Sequence, residues 1–449
     1  MKFLHLADIH LGCRRYGLDE RTKDFARAWL DVIQNYALPQ EVDFVLLVGD
    51  FFDRRNVEPQ AMNHAIAGLR LLQTAGIPVI AIEGNHDQRD TGNDYSWLRS
   101  LAYWGYLKLL EPVHDETGRI TLTPWSETEC SGSYYDIAGA RIFGSIWYGA
   151  GATQALSLLS DALLEARDPK LFNILMMHTD VEGQLDRPMI TALPIAKLKE
   201  LRERADYIAL GHTHKQFILD NWAFNPGSLE ACSIDEYQEK RGAFLVEVDA
   251  AKNINATLIR DYCQRPFQRL QYDVSGTKDG EAVYVGVMDV VAREARPHAP
   301  ESEAPAPIIE MSLRGHLGFS NSLLPLKKMR DDIKTQTQAL HIILQNRSVP
   351  VEYAVAAGLE AQAPRHERER HIIEGLVMQN NLFKTRAAEM AELIVAAKKY
   401  ALNDEGPDKI FDLIEQTLHA PASNSTNGDT ALLALARNAA VNGAGTKPE

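Results

Sequence analysis

The sequence predicts an α/β protein. Short apolar runs that each stop at a polar cluster recur through residues 1–260, and they read as buried strands. Between them lie segments with helical apolar periodicity. Strands alternating with helices imply a sheet that is at least partly parallel. A length of 449 residues allows two or three domains with hydrophobic cores that need no disulfide support.

Along the chain, strands are expected at 3–7, 44–48, 79–82, 173–177 and 207–210. Helices are expected at 21–36, 59–73 and 153–166; the second opens on Pro59, whose fixed φ suits a first helical turn. A β-rich stretch at 242–260 adds a further sheet or its edge. The composition shifts after Arg265-Pro266 and closes a first domain at 1–265. Residues 266–345 then read as a small α+β domain. It holds strand-like pieces at 282–291 and 308–313, a Pro/Ala/Glu-rich break at 296–307, and a helical stretch at 323–345. Residues 364–419 read as helices at 366–380, 385–402 and 408–418, with Gly406-Pro407 before the last. Leu393, Ile394, Ala397 and Tyr400 form an apolar stripe there, which either packs within the protein or docks on a partner helix. The tail 420–449 has little to bury and is expected to be disordered, apart from a short helix at 430–438.

Composition narrows the class. Hydrophobic residues at 45% and charged residues at 24% exclude a chain disordered throughout, a collagen and a disulfide scaffold. The net charge of −14 argues against broad coating of nucleic acid by the whole surface. It leaves room for nucleic acid at one site where bound cations reverse the sign. Four scattered cysteines fit a reducing compartment better than a disulfide framework or a zinc finger. No signal-like h-region opens the chain, and no apolar run is long enough to span a membrane. A cytoplasmic protein without membrane partners is the expectation.

Five polar clusters follow the predicted strands. They are Asp8-Ile9-His10, Gly49-Asp50-Phe51-Phe52-Asp53, Gly84-Asn85-His86-Asp87, His178, and Gly211-His212-Thr213-His214. Each alone reads as a turn, a cap or a core histidine. Together they matter, because the carboxyl ends of strands in an open α/β sheet converge on one crevice. Histidines, aspartates and an asparagine without cysteine suit a borderline divalent metal such as Mn²⁺, Fe²⁺ or Zn²⁺. Seven ligands exceed one tetrahedral zinc and suit two metals that share a carboxylate. Paired metals clamp the attacking and leaving oxygens of a phosphoryl transfer and acidify a bridging water, so phosphoester hydrolysis follows.

This series, D-x-H, G-D-x-x-D, G-N-H-D, H and G-H-x-H, resembles the calcineurin-like metallophosphoesterases. The resemblance implies an αββα sandwich with a small α+β capping domain and C-terminal helices. It implies a first metal held by Asp8, His10, Asp50 and His214, and a second held by Asp50, Asn85, His178 and His212. His86 is then the histidine that contacts the phosphate or protonates the leaving oxygen, and Asp87 orients and charge-stabilises it. The opening MKFLHLADIHLG, the string GDFFDRRN and the turn Asn225-Pro226-Gly227-Ser228-Leu229-Glu230 resemble the SbcD branch of bacterial DNA double-strand-break repair nucleases, relatives of the meiotic-recombination nuclease. That branch implies two metal ions, manganese first among them. It also implies DNA as substrate, a two-fold homodimer, and an SbcC-like, SMC-family ATPase bound by helices at 364–419. Helices 21–36 and 59–73 offer apolar faces for a dimer. Where this chain has Asp53, archaeal and eukaryotic members tend to carry a histidine linked with exonuclease action; Asp53 reads as an acceptor behind a ligand histidine.

Arg14, Arg15, Arg54 and Arg55 directly follow two of the motifs, where they either position DNA phosphates or form ordinary surface ion pairs. Lys197, Lys199, Arg202 and Arg204 are interleaved with Glu200 and Glu203 and read as an ordinary helix face. A small-molecule phosphodiesterase or nucleotide pyrophosphohydrolase of the same fold is the alternative, as is a scaffold that only binds through the metal domain. The long extension after residue 265 favours the nuclease, and the full ligand set with His86 argues against the scaffold.

Overall fold

Strand β1 (Lys2–Leu6) sets the pattern of the first domain in this computed structural model. Phe3 points into one core and Leu4 and Leu6 into another, the period of two that a sheet buried on both faces demands. The structure describes residues 1–88, 95–185, 192–299, 301–302, 304–349, 365–378, 382–402 and 407–419.

Beside β1 lie β2 (Phe44–Val48), β3 (Val79–Ile82) and β4 (Lys108–Leu109), all parallel. On its other side, β13 (Ala243–Val248) and β14 (Ile254–Ile259) add an antiparallel edge. A second six-stranded sheet holds β7 (Tyr134–Ile137), β8 (Ala140–Gly144), β9 (Phe172–His178), β10 (Tyr207–Gly211), β11 (Phe217–Leu219) and β12 (Ala223–Asn225), with β8, β9, β10 and β12 parallel in succession. A two-residue pair, β5 (Val113–His114) with β6 (Ile120–Thr121), stands apart.

Three cores separate four layers. Phe3, Phe44, Leu46 and Ile80 of the first sheet meet Ile142, Ile174, Met176 and Tyr207 of the second. Helices α1 (Asp19–Val32), α2 (Pro59–Thr74) and α3 (Trp97–Tyr103) cover the outer face of the first sheet through Trp29, Leu69 and Leu101. Helices α4 (Ala152–Ala166) and α5 (Ile195–Lys199) cover the second through Leu159, Leu163 and Leu198. This is a mixed α/β fold with an αββα layer order, as expected. The expected helix 21–36 is α1 continued by a π-helical turn, Ile33–Ala37. Trp29 of α1 and Leu69 of α2 are among the apolar residues of these helices that this core takes up.

Beyond it, β15 (Phe267–Asp273), α6 (Gly280–Glu294), β16 (Ile308–Arg314), α7 (Leu326–Thr337) and β17 (His341–Asn346) follow, the strands forming a three-stranded sheet in that order. Two expectations fail here. Residues 282–291 are helical, not strand-like. Asp279 caps them through the Ala282 N–H at 2.9 Å, and Val283, Val287, Val290 and Val291 are buried at helical spacing. The expected helix 323–345 stops at Thr337, because Gln338 turns left-handed at φ 52° and the chain leaves as β17.

Contacts divide the chain into two compact units. One holds Met1–Arg269, Pro297–Glu310 and Gln338–His341; the other holds Leu270–Arg296, Met311–Thr337 and the described residues from Ile342 onward. In the second unit, helices Arg365–Met378, Ala387–Leu402 and Pro407–His419 match the expected segments. The tail 420–449, with its expected helix at 430–438, lies outside the described residues. So do positions 379 and 380, the expected end of the first of these helices.

Candidate metal centre

The carboxyl ends of β1, β2, β3, β9 and β10 meet at one place, and the five predicted clusters arrive there with them. The backbone pays a local cost to aim them. Asp8, His10, Asp50 and His212 all adopt positive φ, at 51°, 50°, 50° and 87°, a region that side chains other than glycine occupy when a site over-determines them. The motif glycines have steric reasons. A Cβ on Gly84 would lie 2.1 Å from Asp50 Oδ1, and one on Gly49 would lie 2.3 Å from His178 Nδ1.

Two constellations result. In one, His178 Nε2 lies 3.2 Å from Asp50 Oδ2, 3.2 Å from Asn85 Oδ1 and 3.2 Å from His212 Nδ1. In the other, His10 Nε2 lies 3.1 Å from His214 Nε2 and 3.9 Å from Asp50 Oδ2. Asp8 accepts the His212 backbone N–H at 3.0 Å and stands 4.0 Å from His178 Nε2.

Hydrogen bonds behind the ring nitrogens show why a cation fits. His178 Nδ1 donates to Val48 O at 2.9 Å, His214 Nδ1 to Glu236 Oε1 at 3.0 Å, and His212 Nε2 faces Asp180 Oδ2 at 3.3 Å. His10 Nδ1 faces Asp53 Oδ1 at 3.5 Å. With Nδ1 of His178 and Nδ1 of His214 committed to outward hydrogen bonds, their inner nitrogens face those of His212 and His10 in two pairs. Facing acceptors repel unless a proton or a metal ion lies between them. Asp50 falls in two of the clusters whose donor atoms lie within 4.8 Å of one another, Asp50–His178–His212 and His10–Asp50–His86. The electrostatics agree. Burial works against charge on His178, but Asp50 and Asp8 hold its pKa up at about 10. Burial opposes charge on His214 too, and Glu236 raises it to about 9. Burial raises Asp50, but the His178 and His10 charges win and hold it well below the usual carboxylate range.

His86 differs from its expected setting. Its ring Nδ1 donates to Asp53 O at 2.6 Å, and its backbone N–H donates to Asp50 Oδ1 at 2.9 Å. Asp87 does not touch the ring by hydrogen bond. Its carboxylate accepts the backbone N–H groups of Phe51, Phe52 and Gly84 at 3.0, 2.9 and 3.2 Å, so it ties the turn after β2 to the turn after β3. Burial, then the nearby Asp50 charge, push Asp87 up to about 8 against those three bonds. The residue expected to orient His86 therefore orients Asp50's loop instead, and the Asp53 carbonyl orients His86.

Residues missed in the sequence complete the picture. Asp180, two positions after His178, and Glu236, on the 3₁₀ turn Ile234–Glu236, stand behind His212 and His214. Cys232 joins His10 and His214 in a third cluster of ligating atoms. Asp180 carried a local signal, a carboxylate beside a ligand-type histidine; Glu236 and Cys232 are distant in sequence and carried none. Of the predicted arginines, Arg14 pairs with Asp19 at 2.6 Å, Arg54 reaches Asp53 at 3.6 Å, and Arg15 lies against Tyr16; Arg55 is exposed.

Residues 1–216 match the family described as calcineurin-like phosphoesterase. Over those residues the chain is similar to a calcineurin-like phosphoesterase domain. It is the domain of metal-dependent phosphoester hydrolases, and the chain's donor clusters are of the kind that holds divalent metals. Among curated relatives, the DNA double-strand break repair protein Mre11 of Archaeoglobus fulgidus is 30% identical over 53% of this chain and 52% of that protein. The Mre11 protein of Aeropyrum pernix is 29% identical over 64% of this chain and 66% of its own length. That of Methanococcus maripaludis is 40% identical over 22% of this chain and 28% of its own. The chain thus spans about half to two thirds of the length of the first two relatives. No helix among the described residues is long and apolar enough to cross a membrane.

Proposed function

We propose that this phosphoesterase domain is a two-metal DNA nuclease that processes DNA ends in double-strand-break repair. The observation that carries the reading is the position of Asp50, whose carboxylate belongs to both constellations, 3.2 Å from His178 Nε2 and 3.9 Å from His10 Nε2. Asp8, His10, Asp50 and His214 hold the first ion; Asp50, Asn85, His178 and His212 hold the second, with Mn²⁺ preferred. Such a pair supplies charge neutralisation at the phosphoryl group and an acidified water. The chain's own residues do the rest. Glu236, Asp180, Asp53 and Val48 O fix which nitrogen of each histidine faces inward. His86 faces the phosphoryl group and gives the leaving oxygen its proton. Arg14, Arg15, Arg54 and Arg55 meet the DNA backbone as it enters.

DNA is the substrate because the relatives are named for DNA double-strand break repair. The boundaries 1–265, 266–345 and 364–419 are read as nuclease, cap and a helical segment for an SbcC-like, SMC-family ATPase, in a cytoplasmic homodimer. The test is Mn²⁺-dependent cleavage of linear duplex DNA compared with hydrolysis of bis-nitrophenyl phosphate. A nuclease prefers the first. Asp50→Ala abolishes both activities and lowers bound metal at both positions by elemental analysis. Two tightly held ions with near-normal turnover in that variant would overturn the assignment.

A further inference from the structure

The start of β9 and the residue before β10 lie at the end of the second sheet opposite the metal ligands. Asn173 and His178 are on the same strand, Phe172–His178, which places them about 16 Å apart at strand rise. At the Asn173 end a cavity of about 430 Å³ opens. Four cationic side chains line it, Arg167, Arg202, Arg204 and Lys252, in a chain whose net charge is −14.

The acidic side chains there do not use up these cations. Asp206 Oδ2 takes Lys252 Nζ at 3.0 Å and the Asn173 backbone N–H at 2.8 Å, so that pair is closed. Glu203 is largely exposed and stands 3.6 Å from Arg204. The Arg167 guanidinium donates to the carbonyl of Glu203, with no ion pair among the described residues. Arg202 lies over the Trp222 ring at 5.1 Å, and Asp220, at 3.8 Å from it, is nearer Lys199 at 3.1 Å. Arg204 Nε is buried without a hydrogen-bond partner among the described residues. A buried donor without a partner is costly, and arginine forks match phosphate oxygens in pairs. The volume exceeds what a lone phosphate fills and suits a phosphorylated molecule of nucleotide size.

We propose that this cavity is a second phosphate site, which binds the phosphate of a nucleotide through Arg167 and Arg204 while its base lies against the Arg202 guanidinium. The nucleotide is either free or part of a DNA strand. The proposal stands apart from the nuclease reading, because none of these residues belongs to the metal centre.

Calorimetric titration of the full chain in chelator tests it, with deoxyadenosine monophosphate and a short single-stranded oligonucleotide as probes. Arg167→Gln with Arg202→Gln lowers affinity about tenfold or more for the probe that binds there, with thermal melting unchanged. Loss for the mononucleotide assigns a free nucleotide. Loss for the oligonucleotide alone assigns a strand, and the slope of affinity against salt then falls by about one per phosphate contact removed. Should the double variant fold poorly, Arg202→Gln alone, an exposed position, shows a smaller loss of the same kind. Wild-type affinity for both probes in a folded variant, or no binding of either to the wild-type chain, overturns the proposal.

Discussion

His5 is fully buried between the two sheets, where it links them: Tyr207 Oη donates to Nδ1 at 2.9 Å, and Nε2 donates to Leu210 O at 3.1 Å. Burial drives its pKa down to about 3, with the Leu210 bond opposing. The folded state thus keeps His5 neutral, while the unfolded chain protonates it near pH 6.5. Stability from this residue is complete above pH 6.5 and falls as pH drops towards 3, because the unfolded state binds the extra proton. At pH 5 the loss is about 2 kcal/mol. Denaturant melts at pH 7.5 and 5.0 check this: His5→Gln shows a smaller acid loss than the parent by about that amount, and equal losses refute it. His86 supplies a second residue-scale expectation. Its backbone N–H holds Asp50, so His86→Ala keeps that bond and keeps bound metal, yet turnover falls on the order of 10²-fold or more. Loss of metal in that variant makes the ring a ligand, as its place in a cluster with His10 and Asp50 would allow. The ligand-type residues were legible in the sequence because each follows a strand within a few positions. The groups behind them were not, because Glu236 meets His214 through tertiary folding alone.

At the scale of elements, the buried parallel strands were readable for a plain reason. Strands such as Phe44–Val48 are apolar on both faces because both faces are packed, so no alternation blurs their limits. Helix α6 was misread for the opposite reason. Its run of valines carries β propensity, and only the burial of Val283, Val287, Val290 and Val291 on one side makes it a helix. The missed signal was Asp279, three residues before the first amide it caps. Asp279→Ala therefore costs about 1 kcal/mol, measurable as a lower melting point of the second unit. Asp279→Ser restores most of it, since serine also caps; equal losses for both changes would assign the effect to something other than the cap.

For the whole molecule, the C-terminal helices pose the remaining question. Helices Arg365–Met378 and Ala387–Leu402 are tied by Arg370–Glu392 and Lys398–Glu369, and Arg386, in the turn just before the second, reaches Thr417 O of helix Pro407–His419. They bury little: Ala387, Met390 and Ala391 are enclosed, while Leu376, Leu382, Ile394 and Phe411 stay exposed at 54, 66, 45 and 46%. An apolar face left open on a helical segment suits the groove-and-helix mode of partner docking. Truncation after Val349 separates docking from self-packing. That cut keeps the bridge between His316 and Val349 and the Arg347 N–H bond to Leu313 O, so the three-stranded sheet keeps its closing strand. If the helices serve an ATPase partner, the shortened chain folds, retains manganese-dependent cleavage of single-stranded DNA, and no longer co-purifies with the coiled-coil ATPase. If they serve the chain's own core instead, the truncated protein aggregates or melts well below the parent, and added ATPase leaves the parent's cleavage rate unchanged.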